Sequence, residues 1–255
     1  MSRSSPTNKA VTSGFRDWLH ELLEVRGSQP LWPILLGASL DGEFLRQIEI
    51  DHGYSSHVFI DRDNHPLEDG EREEKQVARL YRSANANDGY VVLEDERIWL
   101  LGYQWPTQGG SAEKSRRADL IGMKTDGSLV VFEAKVATGN APQIALMEGL
   151  DYLACLLRPK NFDNILTGFD AWKKKPDKKI PTGFEQIVPQ RSVRPTLVVL
   201  APEAYFTGRH SRSIRSRDWP YLSAVGGTMM KSVRLDFATT DYKSTTFGHP
   251  PIPKK

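Results

Sequence analysis

The chain has 255 residues, 39% of them hydrophobic, with six tryptophans, a single cysteine and a formal net charge of +2. That length and apolar content suit one large domain or a domain with an extension, and one cysteine excludes a disulfide scaffold. No apolar run reaches the roughly 18 residues needed to span a bilayer, and the N-terminus MSRSSPTNKA lacks the apolar core of a signal peptide, so a cytoplasmic protein is expected. The charge is unevenly spread. Residues 1–100 carry 11 basic and 18 acidic side chains, a net −7, whereas residues 101–255 carry 23 and 14, a net +9. A polyanionic partner would meet the second half.

In chain order, Gly14 to Arg26 predicts an amphipathic helix, with Phe15, Trp18, Leu19, Leu22 and Leu23 on one face. Leu31 to Ala38 is apolar but contains Pro33, and Phe44–Ile50 and His57–Ile60 predict short strands. Asp61, Asp63 and His65 lack the glycine and distal glutamate of a calcium loop, because Pro66 and Arg72 stand there. Residues 1–65 therefore read as an N-terminal extension without nameable chemistry. Glu71–Ser83 predicts a helix with Val77, Leu80 and Tyr81 inward and Glu73 and Glu74 one turn earlier. Tyr90–Leu93 and Arg97–Tyr103 predict two strands around Glu94-Asp95-Glu96.

The stretch Arg116–Leu157 then reads strand, turn, strand, loop, helix. Ala118–Met123 is apolar apart from Asp119, and Thr125-Asp126-Gly127-Ser128 has hairpin chemistry, since Asp-Gly accepts positive φ. Leu129-Val130-Val131-Phe132 climbs into Glu133-Ala134-Lys135. Side chains 133 and 135 share a face because strands alternate with period two. Charge at the end of a buried strand needs something to offset its desolvation. Two carboxylates and an ammonium meeting there make a divalent-cation site with an attached base or clamp. The plain alternative is a strand-edge salt bridge. Acidic-x-Lys also occurs at Glu73/Lys75, Asp177/Lys179 and Asp241/Lys243, but only Glu133/Lys135 ends an apolar β-run preceded by a turn and an upstream aspartate.

This pattern resembles the PD-(D/E)xK nuclease superfamily over roughly residues 70–160, with a further strand near 196–201. Asp119 stands at the family's first acidic position, after Ala118 rather than proline, and Glu133 and Lys135 supply the second acid and the lysine. The resemblance implies an α/β restriction-endonuclease-like fold, with a mixed central sheet flanked by helices over residues 66–255. It implies Mg²⁺, with Mn²⁺ able to substitute, held by Asp119, Glu133, the Ala134 carbonyl and Glu74, with Glu73 as the alternative to Glu74. It further implies hydrolysis of nucleic-acid phosphodiesters, DNA favoured over RNA, in a setting such as restriction or phage defence. Some members place a glutamine at the start of the following helix and a tyrosine four residues later. Here Gln143 opens the predicted helix Pro142–Leu157, but Met147 occupies the second place and Tyr152 lies further on.

Residues 158–195 read as a basic insertion containing Lys173, Lys174 and Lys175. Thr196–Leu200 reads as a buried strand and Val233–Ala238 as the last strand. Arg209, Arg212, Arg215 and Arg217 between them suit bidentate phosphate contacts. The lone Cys155 reads as a small buried hydrophobe. A metal-dependent nuclease is the first reading and a catalytically silent nucleic-acid-binding module of the same fold the second. A homodimer or a partner protein would use the acidic N-terminal region, and no membrane is expected.

Overall fold

The computed structural model describes residues 38–49, 73–106, 117–138, 142–174, 184–207 and 230–251. The expected helix at 14–26, the strand at 57–60, Lys175 and the arginines at 209–217 lie outside those residues. The elements, in chain order, are α1 (Ala38–Ile48), α2 (Glu73–Ala86), β1 (Tyr90–Leu93), β2 (Glu96–Pro106), β3 (Arg117–Met123), β4 (Leu129–Ala134), α3 (Pro142–Leu156), α4 (Pro159–Lys173), β5 (Thr196–Ala201), α5 (Glu203–Thr207) and β6 (Arg234–Thr239).

The architecture is α/β. The six strands form one mixed sheet in the order β1-β2-β3-β4-β5-β6. The first four pair antiparallel through hairpins, and β4, β5 and β6 pair parallel. Parallel neighbours need a crossover, which α3 and α4 provide between β4 and β5. The sheet curls: after β6 the chain bridges Thr239 to Gly248 and Val92 to Thr246, tying its two edges together.

Each face buries its own apolar set. On one, Leu101, Ile121, Met123, Leu129, Val131, Leu197, Val199 and Leu235 pack against α1, α3 and α4. On the other, Ile98, Leu100, Leu120, Val130, Phe132, Val198 and Leu200 pack with Val77, Leu80 and Tyr81 of α2 and with Tyr242 and Phe247. The alternation of β4 between these sets is the period-two pattern of a strand covered on both sides. Helix α3 is apolar nearly all round because sheet and helices enclose it.

Two expectations are corrected. Phe44–Ile50 was expected as a strand, but α1 runs through Ala38–Ile48. Phe44 and Ile48, four apart, both meet the core, and a short apolar stretch does not by itself separate the two periods. Helix α1 is also tied to the rest of the chain: Ser232 N–H donates to Asp41 Oδ1 at 3.0 Å, and Arg158 Nε donates to the Gln47 carbonyl at 3.2 Å. The segment 158–195 was expected as an insertion, yet its first half is α4, with Phe162, Ile165 and Phe169 in the core. Pro159 at its first turn starts that helix rather than breaking it.

Candidate active site

The β3–β4 hairpin sets the site. Gly127 takes φ 82° in the turn, and a Cβ there would lie 2.3 Å from the Val188 carbonyl oxygen, so only glycine fits. The ladder pairs Met123 with Leu129 through Leu120 with Phe132, and one step further brings Asp119 beside Glu133. There the Ala134 N–H donates to Asp119 Oδ2 at 2.9 Å. Lys135 Nζ lies 2.5 Å from Glu133 Oε1, 3.2 Å from Glu148 Oε2 on α3, and 3.5 Å from Glu73 Oε1 at the start of α2. The lysine backbone is pinned as well. Its N–H donates to the Leu200 carbonyl at 2.8 Å, and the buried Tyr242 hydroxyl reaches the Lys135 carbonyl at 2.9 Å.

Arg117, Thr138 and Tyr152 join these side chains around an open cavity of about 350 Å³. The cavity sits at the carboxyl end of β4, where the antiparallel part of the sheet meets the parallel part, the usual position of ligand sites in open α/β sheets. Helix α3 comes this close because residue 149 is glycine. A Cβ there would lie 2.4 Å from a Leu197 methyl and 3.2 Å from the Glu133 Cβ.

The electrostatics follow from burial and crowding. Burial, then the Glu73 charge, raises the Asp119 carboxyl to about 7, against the opposing pull of Lys135 and two hydrogen bonds. Burial and Asp119 push Glu133 well above the carboxylate range, with Lys135 pulling the other way. Burial alone would lower Lys135, but Glu133 and Glu73 outweigh it and hold the ammonium above its ordinary range. Burial raises Tyr205 on α5 too, and the charges of Glu133 and Glu73 add to that. Carboxylates thus outnumber the cations available to them.

A divalent cation would correct that imbalance, and the donor chemistry fits one. Glu133 Oε2 is buried without a hydrogen-bond partner, an arrangement that costs free energy unless something occupies it. Asp119 has one hydrogen bond to each oxygen, from Ala134 N–H and from Gln104 Nε2 at 2.9 Å, which uses about half of a carboxylate's acceptor capacity. Among the described residues no group of three or more His, Cys, Asp or Glu could hold a metal ion as it stands. Magnesium does not require such a group, since it is usually held by one or two carboxylates and keeps several waters.

Asp119, Glu133 and Lys135 therefore come together as the sequence placed them, with Ala134 between them. Glu74 does not join: it is exposed, and its neighbour Glu73 turns to the cavity. Gln143 lies in the first turn of α3. Further along α3, Glu148 and Tyr152 stand four residues apart and both line the cavity, with a glutamate rather than a glutamine at the first place. Glu148 was missed because an acid in an apolar helix reads as its solvent edge, whereas it is buried here. Gln104 gave no signal at all. Lys173 is engaged on its own helix, with Asp170 at 3.5 Å and the Phe169 ring at 4.6 Å; Lys174 is exposed, and neither lines the cavity. Among the described residues no helix is long and apolar enough to cross a membrane. No protein-family model, curated protein or solved structure matches the chain.

Proposed function

We propose that the chain is a magnesium-dependent nuclease of the restriction-endonuclease-like fold, hydrolysing phosphodiester bonds of nucleic acid, DNA before RNA. The observation that carries this reading is the buried, unpartnered Glu133 Oε2 beside Asp119 and Lys135 at the end of β4. A strand-edge salt bridge exposed to solvent would leave the second Glu133 oxygen hydrated rather than buried without a partner.

Asp119 and Glu133 would hold the ion, with the Ala134 carbonyl as a further donor and Glu73 also lining the cavity. Bound there, Mg²⁺ supplies polarisation of a phosphoryl oxygen and a water acidic enough to ionise near neutral pH. Lys135 stays protonated among its carboxylates. It therefore serves as a donor that holds the attacking water and neutralises charge growing on the phosphorus oxygens, rather than as the base. Glu148 fixes the ammonium from the α3 side. Arg117 at the cavity wall offers a planar donor fork suited to a phosphate. The basic second half of the chain supplies the long-range attraction. Arg212 and Arg215 are assigned there from sequence; replacing both with alanine should flatten the log–log salt dependence of binding by roughly two.

The test is incubation of the purified protein with circular and linear DNA, single-stranded DNA and RNA, in Mg²⁺, Mn²⁺ or EDTA. Cleavage that needs the metal, is lost in Asp119→Asn and leaves 5′-phosphate ends is expected. Binding without cleavage in every metal would replace the enzyme by a silent binding module.

A further inference from the structure

Strand β2 contains a defect whose consequence falls on Asp119. Its first pairs with β3 are Trp99 with Met123 and Leu100 with Gly122. Continued without interruption, that register would set Tyr103 opposite Asp119. Instead the register shifts between Leu100 and Gly102, so that Gly102 pairs with Ile121, Tyr103 with Leu120 and Trp105 with Ala118. Gln104 is thereby placed across from Asp119. Tyr103 is carried to the opposite face, where its ring lies 5.1 Å from that of Tyr81. Gln104 itself adopts φ 50°, a left-handed conformation that glutamine rarely takes. The following Trp105 returns to the core on the α3 face. Bulges and left-handed residues of this kind concentrate beside functional sites, where they re-aim a side chain.

The re-aimed group is the Gln104 amide, which donates to Asp119 Oδ1 at 2.9 Å while Ala134 N–H holds Oδ2 at 2.9 Å. A neutral donor on each oxygen fixes the plane of the carboxylate and leaves its remaining lone pairs for the cavity. We infer that Gln104 is a positioning residue for the metal site, acting through Asp119 and placed by the β2 bulge; this rests on reading the site as a divalent-cation centre. Outer partners of this type commonly contribute about 10- to 100-fold in metal affinity.

Two variants separate the amide from the backbone. Gln104→Gly removes the donor and relaxes the left-handed residue, so folding should not suffer. Gln104→Met keeps the side chain's length and also lacks the donor. Mn²⁺ titration of the metal-free protein, followed by calorimetry and by the Mn²⁺ EPR signal, should give a dissociation constant raised about tenfold or more in both. The melting temperature of the glycine variant should be no lower than that of the wild type. Cleavage should fall at limiting Mn²⁺ and recover when Mn²⁺ is saturating. If the wild type binds Mn²⁺ and both variants bind it equally well, the inference is overturned and the nuclease reading stands. If the variants bind more weakly but no nucleic acid is cut by the wild type, the positioning role stands and the nuclease reading falls. A wild type that takes up no Mn²⁺ removes both.

Discussion

The two ends of the sheet carry clusters built from the same residue types. At one, Arg234 on β6 meets Glu94 in the β1–β2 turn and lies 2.9 Å from Asp236, while Lys124 lies 2.8 Å from Glu96. At the other, Lys135 stands among Glu133, Glu148 and Glu73, and Asp119 has only neutral hydrogen-bond donors. In the first cluster two cations, Arg234 and Lys124, serve three acids, and Arg234, Glu94 and Glu96 are 35%, 41% and 37% exposed, while Lys124 and Asp236 are set deeper at 6% and 16%. In the second, three carboxylates share one ammonium, and Glu133 and Lys135 are 3% and 5% exposed. Charge composition does not distinguish a clasp from a site; burial combined with a shortage of partners does.

The sharpest way to break that distinction is to neutralise single charges at the buried end. Asp119→Asn and Glu133→Gln keep shape and should each lower metal-dependent cleavage by more than about 100-fold, since even outer partners of a metal cost about 10- to 100-fold. Lys135→Ala should lower the cleavage rate by roughly 100- to 1,000-fold with little change in DNA affinity, because its donor acts on charge that develops in the transition state. Single-turnover cleavage assays, with filter binding for affinity, read both. A variant that cuts at the wild-type rate would return the cluster to the status of a clasp.

The same crowding predicts an opposite sign for stability. Asp119 carries a carboxyl raised from 3.8 to about 7, so the folded state binds its proton more tightly than the unfolded chain does. Its neutral form is favoured in the fold, and the metal-free protein should lose stability as pH rises from about 4 to about 7. At roughly 1.4 kcal/mol per unit, Asp119→Asn should recover up to about 4 kcal/mol at pH 8 while flattening that pH dependence. Denaturant unfolding in EDTA at pH 5 and pH 8 measures it. Equal stabilities of variant and wild type at pH 8 would mean that the carboxylate is not strained by its surroundings.

Packing carries a smaller share. Gly149→Ala would drive a methyl toward a Leu197 Cδ at 2.4 Å and the Glu133 Cβ at 3.2 Å. Leu197 is fully buried and has nowhere to turn. Overpacking of this kind costs about 1–3 kcal/mol, and the displaced α3 would carry Glu148 away from Lys135. Thermal unfolding and the cleavage assay should therefore both register the substitution.

How much of this was readable beforehand depended on whether the signal was local. The β3–β4 hairpin, the run Leu129–Ala134, the helix after Pro142 and the strand at Thr196 were legible because turn chemistry, period and burial agree within each segment. Glu133/Lys135 could be told from Asp241/Lys243 by the same means: Asp241 Oδ1 accepts from the N–H groups of Lys243 and Ser244 in an exposed turn. The choice between Glu73 and Glu74 was only partly legible: the stripe of Val77, Leu80 and Tyr81 lies nearer Glu73, but a single helical step of about 100° separates the two and both flank that stripe. Glu148 needed the approach of α3 to β4. Gln104 needed a one-residue register shift, which no periodicity reports.

The smallest predicted effect lies at the exposed end, and it sharpens the comparison by being small. Arg234 is held above its ordinary range by its acids, Asp236 first and then Glu94, against the opposing effect of burial. It remains a third exposed, so solvent screens those contacts. Exposed ion pairs contribute about 0.2–1 kcal/mol in double-mutant cycles. The cycle Arg234→Ala, Glu94→Ala should give a coupling within that range, shrinking as salt is raised because the Debye length falls to about 3 Å at 1 M. Mn²⁺ affinity should stay at its wild-type value, since this cluster occupies the end of the sheet where β4 begins rather than where it ends. A coupling several times larger would make the Arg234 network a principal fastener of the curled sheet, joining β6 to the β1–β2 turn. A loss of Mn²⁺ affinity would show that closure of the sheet edges reaches the site through Tyr242, whose hydroxyl holds the Lys135 carbonyl just after the chain leaves β6.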